Sequence, residues 1–290
     1  MFQSAIRNPQ SAIGARTLIM GIINVTPDSF SGDGLGNDVE AAVAQGARMV
    51  GEGADILDVG GQSTRPGSNP VPEEEELRRV VPVIERLVSA HGHIDVSIDT
   101  NRARVAEAAI GAGASIVNDI SGLRDDPEIA DVAARHGAGL VLMHIQGTPR
   151  TMQANPHYDD LLGEVIAYLR TSVERAVMAG VPLKRIWVDP GIGFGKTIDH
   201  NLELLRRLGE LQVLGCPILV GSSRKSFIGR ILAPLNGGEP LPPQARVIGT
   251  GATVAVSIAN GADVVRVHEV AHAVQVARVT DAIVRGYREW

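Results

Sequence analysis

The chain has 290 residues, 44% of them hydrophobic and 21% charged, with a formal net charge of −6. That balance suits a globular protein with room for one large domain or two small ones, and its acidity argues against a general nucleic-acid binder. The single cysteine, Cys216, excludes an internal disulfide framework and fits the reducing cytoplasm, while no apolar run approaches the ~20 residues that span a bilayer.

Residues 1–16 hold a short duplication, Ser4-Ala5-Ile6 and Ser11-Ala12-Ile13, and little apolar content. They read as a disordered or loosely attached tail, with residues 17–290 forming one domain. From Thr17 onward, short Val- and Ile-rich runs alternate with segments of helical period. The strand candidates are Thr17–Asn24, Asp55–Val59, Ile94–Asp99, Ser115–Asp119, Gly139–His144, Arg185–Asp189, Pro217–Gly221 and Asp263–His268.

The segments between them read as helices. After Asn37, residues Val39, Ala42, Val43, Ala47 and Val50 share one face at the 3.6-residue period. The next helix opens at Pro72, with Glu73, Glu74 and Glu75 placed favourably against the helix dipole. Pro82 falls inside its apolar stripe, which predicts a kink or a helix in two pieces. Further helices are expected after Asn101, near Pro127, from Leu162 to Gly180, after Asn201, between Pro243 and Gly261, and from Glu269 to Gly286. Eight β–α units in roughly 270 residues match a (β/α)8 TIM barrel. The rival, a doubly wound open sheet, usually has fewer strands and one glycine-rich phosphate loop.

In such a barrel the working residues sit at the carboxyl ends of the strands. Here those ends are consistently polar: Asn24, the stretch Gly60 to Gly67, Asp99, Asn118-Asp119, His144, the stretch Asp189 to Lys196, Ser222 to Ser226, and Arg266-Val267-His268. Singly, Asp99 and Asn118 could be helix N-caps, and His144 a structural hydrogen-bonding residue. Arg266 lies in a Val-rich strand, where an unpaired charge is costly, so it should face a ligand or a carboxylate. Convergence of eight polar ends on one mouth favours a binding site.

Three other motifs fail on inspection. Residues 191–197 resemble a phosphate-binding P-loop, but the pattern requires glycine at 190, which is proline. No dinucleotide fingerprint opens a helix after the first strand. The pairs His91/His93 and His268/His272 lack the companion ligands of a zinc site.

The mouth has a readable chemistry. Asp99, Asn118 and Asp189 suit a flat heterocycle carrying several N–H donors, and Phe194 and Met143 offer apolar contact with a ring. Arg266, His268 and Lys225 suit a phosphate or diphosphate. Asn24 offers a carbonyl oxygen to a hard cation such as Mg²⁺, which travels with phosphates and keeps several waters.

The strings Asn24-Val-Thr-Pro-Asp-Ser-Phe30, Gly60-Gly-Gln-Ser-Thr-Arg-Pro-Gly67, Ser97-Ile-Asp-Thr100, Asn118-Asp119, Asp189-Pro-Gly-Ile-Gly-Phe-Gly-Lys196, Ser223-Arg-Lys-Ser226 and Arg266-Val-His268 together resemble the dihydropteroate synthase family of folate biosynthesis. They occur in family order over nearly the whole chain from Thr17. The resemblance implies a barrel, usually a cytoplasmic homodimer, that joins 6-hydroxymethyl-7,8-dihydropterin diphosphate to 4-aminobenzoate through a carbocation-like substitution, releasing pyrophosphate.

Residue by residue, the resemblance implies that Asp99, Asn118, Asp189 and Lys225 bind the pterin, with Arg266 against its face. Asn24, Arg266 and His268 would hold the diphosphate, with Mg²⁺ at Asn24. Thr64, Pro66, Phe194 and Ser223 would form the aminobenzoate site, and Arg65 and Met143 complete the substrate-binding set. Asp99, Asp189, Lys225, Arg266 and His268 would carry the catalytic charge stabilisation. The compact Phe194-Gly195-Lys196 segment, lacking the insertion of resistant relatives, implies sensitivity to sulfonamides. Two departures stand out: the family's first loop commonly reads Ser-Phe-Ser-Asp-Gly-Gly, whereas Asp33 here is displaced by one position, and Glu269 replaces the usual Asp after Arg-Val-His. The alternatives are a pterin-dependent methyltransferase barrel, which has no use for the first two strings, and a non-catalytic pterin-binding paralogue.

Overall fold

A computed structural model describes residues 14–26, 39–64 and 67–287. Eight strands, β1 (Leu18–Asn24), β2 (Ile56–Gly60), β3 (Asp95–Asp99), β4 (Ile116–Asp119), β5 (Gly139–Met143), β6 (Ile186–Asp189), β7 (Leu219–Val220) and β8 (Val264–Val267), alternate with helices. Those helices are α1 (Val39–Gly51), α2 (Glu73–Ala90), α3 (Ala103–Gly111), α4 (Glu128–His136), α5 (Leu161–Met178), α6 (Ile198–Arg206), α7 (Ser226–Ile231), α8 (Val247–Ala259) and α9 (Val270–Arg285).

All strand pairs are parallel, in the order β6-β5-β4-β3-β2-β1-β8-β7. A bridge between Val188 and Ile218 joins β6 to the segment entering β7, closing the sheet into the expected (β/α)8 barrel. The seventh strand is shorter than its apolar run suggests. Pro217 has no N–H for the ladder, and the Ile218 N–H is taken by the Asp263 carboxylate at 2.9 Å.

Alternation along each strand sorts the side chains into two shells. Leu18, Met20, Ile56, Ile116, Val141, Trp187, Leu219 and Val264 pack together inside the barrel. Their odd-register neighbours, such as Ile19, Ile23, Leu57, Val59, Ile98 and Val265, join the larger core between sheet and helices. Continuing the inward parity one step up each strand reaches Asp58, Asp99, Asn118, Met143, Asp189 and Arg266. The apolar plug therefore becomes a polar floor within one layer.

The helix α2 runs unbroken through Pro82, so the two-piece expectation is not met. Buried Val80, Val83, Ile84 and Leu87 lie on both sides of the proline and hold the two halves to one core surface. At the opposite end of the barrel, Arg16 forms a paired ion bridge to Asp55, and Thr17 binds the Asp281 carboxylate of α9 through its N–H and hydroxyl at 2.8 and 2.9 Å. Residues 1–13 of the expected tail, Asp33 and the rest of 27–38, and the site candidates Arg65 and Pro66 lie outside the described residues.

Candidate active site

The carboxyl ends of the strands open on a cavity of about 440 Å³, whose wall includes Asn24, Thr64, Asp99, Ser223, Lys225, Arg266 and His268. Asn118, Asp189, Met143 and Phe194 adjoin these residues but are almost fully buried. The structure thus brings expected positions from the ends of all eight strands to one mouth.

Arg266 is its organising cation. Its Nε donates to Asp58 Oδ2 at 2.6 Å, and Nη2 donates to Asp99 Oδ2 at 2.7 Å. Asn118 Nδ2 donates to the same Asp58 oxygen at 3.1 Å. Asp58 is fully buried, and its second oxygen has no partner among the described residues. The expectation that Arg266 faces a carboxylate is met twice over. Asp58 itself was absent from the expected site residues. The available signal was a carboxylate inside the apolar run Ile56-Leu57-Asp58-Val59, which is as costly to bury alone as the arginine opposite.

Burial pushes the Asp99 carboxyl up to about 7, with Arg266 opposing and Asp58 reinforcing the shift. Burial likewise raises Asp189 to about 6, against the Gly191 N–H that donates to Oδ1 at 2.7 Å. Lys225 is lowered to about 8 by burial and by Arg266, while Asp189 and Asp99 counter this. The floor is therefore a set of mutually dependent charges in a poorly hydrated place, the setting in which functional carboxylates and amines titrate unusually.

The loop after β6 supplies the apolar flank. Lys225 Nζ sits 3.9 Å from the centroid of the Phe194 ring, a cation–π contact. Phe194 packs with Ile120, Met143, Ile145 and Met152 in a small cluster under the rim. Gly191 has φ +70°, and a Cβ there would lie 1.9 Å from the His144 carbonyl oxygen, so only glycine fits this turn. Lys196 is 3% exposed; its Nζ donates to Phe194 O at 3.0 Å and lies 2.9 Å from His144 Nδ1. Burial lowers this amine to about 7 and holds the His144 ring far below its ordinary value. His144 is thereby a structural partner of Lys196, as its bland reading expects.

On the other flank, Ser223 Oγ accepts the His268 N–H at 3.2 Å and lies 2.9 Å from Nδ1 of the same ring. This pair of contacts to one hydroxyl fixes the orientation of the His268 imidazole at the cavity wall. Arg224, at φ 56°, is held by an ion pair with Glu269 and by its N–H to Thr250 Oγ1 at 3.1 Å. Glu269, where the family usually has Asp, keeps a carboxylate at this position and pairs it with this loop's arginine.

Asn24 stands at the end of β1 on the inward face, half-buried in the cavity wall. Among the described residues no group of three or more His, Cys, Asp or Glu side chains could hold a metal by itself, and none of the helices is long and apolar enough to cross a membrane.

Barrel, acceptor-rich floor and cationic rim define an enzyme that takes a flat, donor-bearing ring together with an anion. The model of pterin-binding enzymes matches residues 20–268. A dihydropteroate synthase of Synechocystis sp. is 51% identical over 272 residues, covering 94% of this chain and 92% of the relative. Among solved structures, the Yersinia pestis dihydropteroate synthase in a sulfonamide drug complex aligns with TM-score 0.87 at 41% identity, covering 94% of this chain and 96% of that one. The Xanthomonas albilineans dihydropteroate synthase in complex with 7,8-dihydropteroate aligns with TM-score 0.77 at 41% identity over 92% and 93% of the two chains. The chain belongs to the dihydropteroate synthase family of pterin-binding enzymes, and is thus a transferase of folate biosynthesis.

Proposed function

We propose that this mouth joins 6-hydroxymethyl-7,8-dihydropterin diphosphate to 4-aminobenzoate with the residues described above in specific roles. The observation that carries the reading is the floor itself: acceptors on Asp99, Asn118 and Asp189 around one central guanidinium suit the amino and ring N–H groups of a pterin. Lys225 would bind a ring carbonyl or nitrogen, and Arg266 would lie against the pterin face. Asn24, Arg266 and His268 would hold the diphosphate. Thr64, Ser223 and Phe194, with Arg65 and Pro66, would form the aminobenzoate wall, and Met143 would support the ring from the Phe194 cluster.

The chemistry follows from these charges. As the carbon–oxygen bond breaks, Arg266 and His268 stabilise the negative charge gathering on the diphosphate. Asp99 and Asp189 stabilise the cationic pterin methylene, and no side-chain nucleophile is required. The aniline nitrogen attacks that carbon and then gives up its proton, while the carboxylate of 4-aminobenzoate remains at the rim.

Mg²⁺ fits the donor set as a passenger of the diphosphate. Asn24 supplies one neutral oxygen at the cavity, and Mg²⁺ commonly completes its shell with water and phosphate rather than an all-protein cage. When bound, it would neutralise charge on the leaving group. A homodimer accords with exposed apolar residues on neighbouring helices, with Ile248 of α8 89% exposed and Ile283 of α9 78% exposed. Cytoplasmic location accords with the single buried thiol of Cys216, and the uninterrupted Phe194–Lys196 turn accords with inhibition by sulfonamides.

Purified protein incubated with pterin diphosphate, 4-aminobenzoate and Mg²⁺ should release pyrophosphate and form 7,8-dihydropteroate. Absence of both products would overturn the reading.

A further inference from the structure

The connection from β2 to α2 contains a polar network that the roles above leave unused. Glu76, in the first turn of α2, is 1% exposed, a burial that a carboxylate tolerates only with partners. Its Oε1 accepts from Thr100 Oγ1 at 2.7 Å and its Oε2 from Arg102 Nη1 at 2.9 Å. Thr100 directly follows Asp99 at the end of β3. The other arm of Arg102 reaches the loop: Nη2 donates to Val71 O at 2.8 Å and to Gln62 Oε1 at 3.3 Å. The same Gln62 oxygen accepts the Val71 N–H at 3.3 Å.

One guanidinium therefore joins the place where the loop leaves β2 to the place where it returns to α2. Further out, Ser68 Oγ donates to Ser63 O at 2.7 Å. Gln62, Ser63 and Thr64 all line the cavity. Because Arg102 and Val71 both donate to the Gln62 oxygen, the carboxamide is turned with its NH₂ as the remaining hydrogen-bonding end.

We propose that Arg102 is a positioning residue: oriented by buried Glu76, it sets the Gln62–Thr64 wall that receives 4-aminobenzoate. The inference rests on the synthase reading for the identity of that substrate. A lysine cannot reproduce the geometry, since a single ammonium lacks the planar fork that spans Glu76, Val71 and Gln62 at once.

The test compares Arg102→Ala and Arg102→Lys with the unaltered protein by steady-state kinetics, calorimetric pterin binding and hydrogen–deuterium exchange. Loss of charged hydrogen bonds should raise KM for 4-aminobenzoate by about tenfold, with pterin affinity held within about twofold. Arg102→Lys should recover part of the loss. The double variant Arg102→Ala/Gln62→Ala should be no worse than the poorer single variant if both act in one network. In the resting protein, Arg102→Ala should speed exchange of the amides of 61–71 and leave the barrel strands unchanged. Equal losses of pterin and 4-aminobenzoate binding, an additive double variant, or unchanged exchange in 61–71 would overturn the role of Arg102. Failure of the unaltered protein to form dihydropteroate would instead overturn the synthase reading, and the exchange experiment reads the loop independently of it.

Discussion

Arg266 Nε donates to Asp58 Oδ2 at 2.6 Å, joining β8 to β2 beneath the mouth although 208 positions separate them in the chain. Neither residue lies at the tip of a loop. Both occupy inward positions one layer above the apolar plug, and each makes the other's burial affordable in electrostatic terms. Asp58 also accepts from Asn118, so it orients two of the groups assigned to the pterin.

Asp58→Ala should therefore leave the Arg266 Nε and the Asn118 amide without their shared acceptor, with Asp99 as the remaining carboxylate on the guanidinium. Breaking one side of such a buried pair costs about 3 kcal/mol. Denaturant unfolding should register that loss, and calorimetry should show weakened pterin binding. Unchanged stability would mean that water replaces the carboxylate without cost.

Pterin binding should release protons near neutrality. Burial raises Asp99 from 3.8 to about 7 and Asp189 from 3.8 to about 6. Because these folded values exceed the unfolded ones, their contribution to folding stability is complete below about 3.8 and is lost as pH rises through 6 to 7. A donor-bearing ring requires the ionised carboxylates, so it should expel the bound protons in that same window. Titration calorimetry near pH 6.5 in two buffers of different ionisation enthalpy should give different heats. Identical heats would show that the carboxylates enter the complex in the protonation state they already hold.

Gly191→Ala should disrupt the loop after β6. The position has φ +70°, and the added methyl would meet the His144 carbonyl oxygen at 1.9 Å, so the turn must move or strain. Left-handed backbone strain alone costs about 1–2 kcal/mol, and the collision adds to it. Thermal unfolding and activity should both fall; a variant with native melting and native turnover would contradict the tight approach.

Replacing the ring beneath Lys225 should separate two kinds of binding. Phe194→Leu keeps an apolar side chain but removes the aromatic face from the aminobenzoate wall, and should weaken 4-aminobenzoate or sulfonamide binding several-fold, for a loss of about 1 kcal/mol of ring–ring contact. Lys225→Ala should weaken the pterin by about tenfold or more through loss of a charged hydrogen bond. Competition binding with each ligand separates the two effects, and equal losses of both ligands in both variants would refute this division.

Much of the barrel was legible because its signals are local. Short Val- and Ile-rich runs and the helical stripes between them each depend on residues within a few positions, and they located all eight strands. The polar strand ends were legible for the same reason: Asn24, Asp99, Asn118, Asp189, Arg266 and His268 each interrupt an apolar run where a loop begins. Asp58 escaped because it interrupts its run one layer below the loop, where sequence alone offers no partner. Lys196 and Arg102 escaped for a related reason. A lysine in a glycine-rich turn and an arginine before a helix look like solvated charges until packing buries one and bridges a loop with the other.

The sequence by itself determined the repeating architecture, the polarity of the mouth and, through seven ordered motifs, the family. Only the tertiary structure decided which charges neutralise which: Arg266 with Asp58 and Asp99, Lys196 with His144, and Arg102 with Glu76 across the loop. The division has one physical cause. Backbone preference and apolar periodicity act over neighbouring residues, whereas pairing and protonation depend on distances and dielectric that exist only once barrel closure brings remote strand ends together.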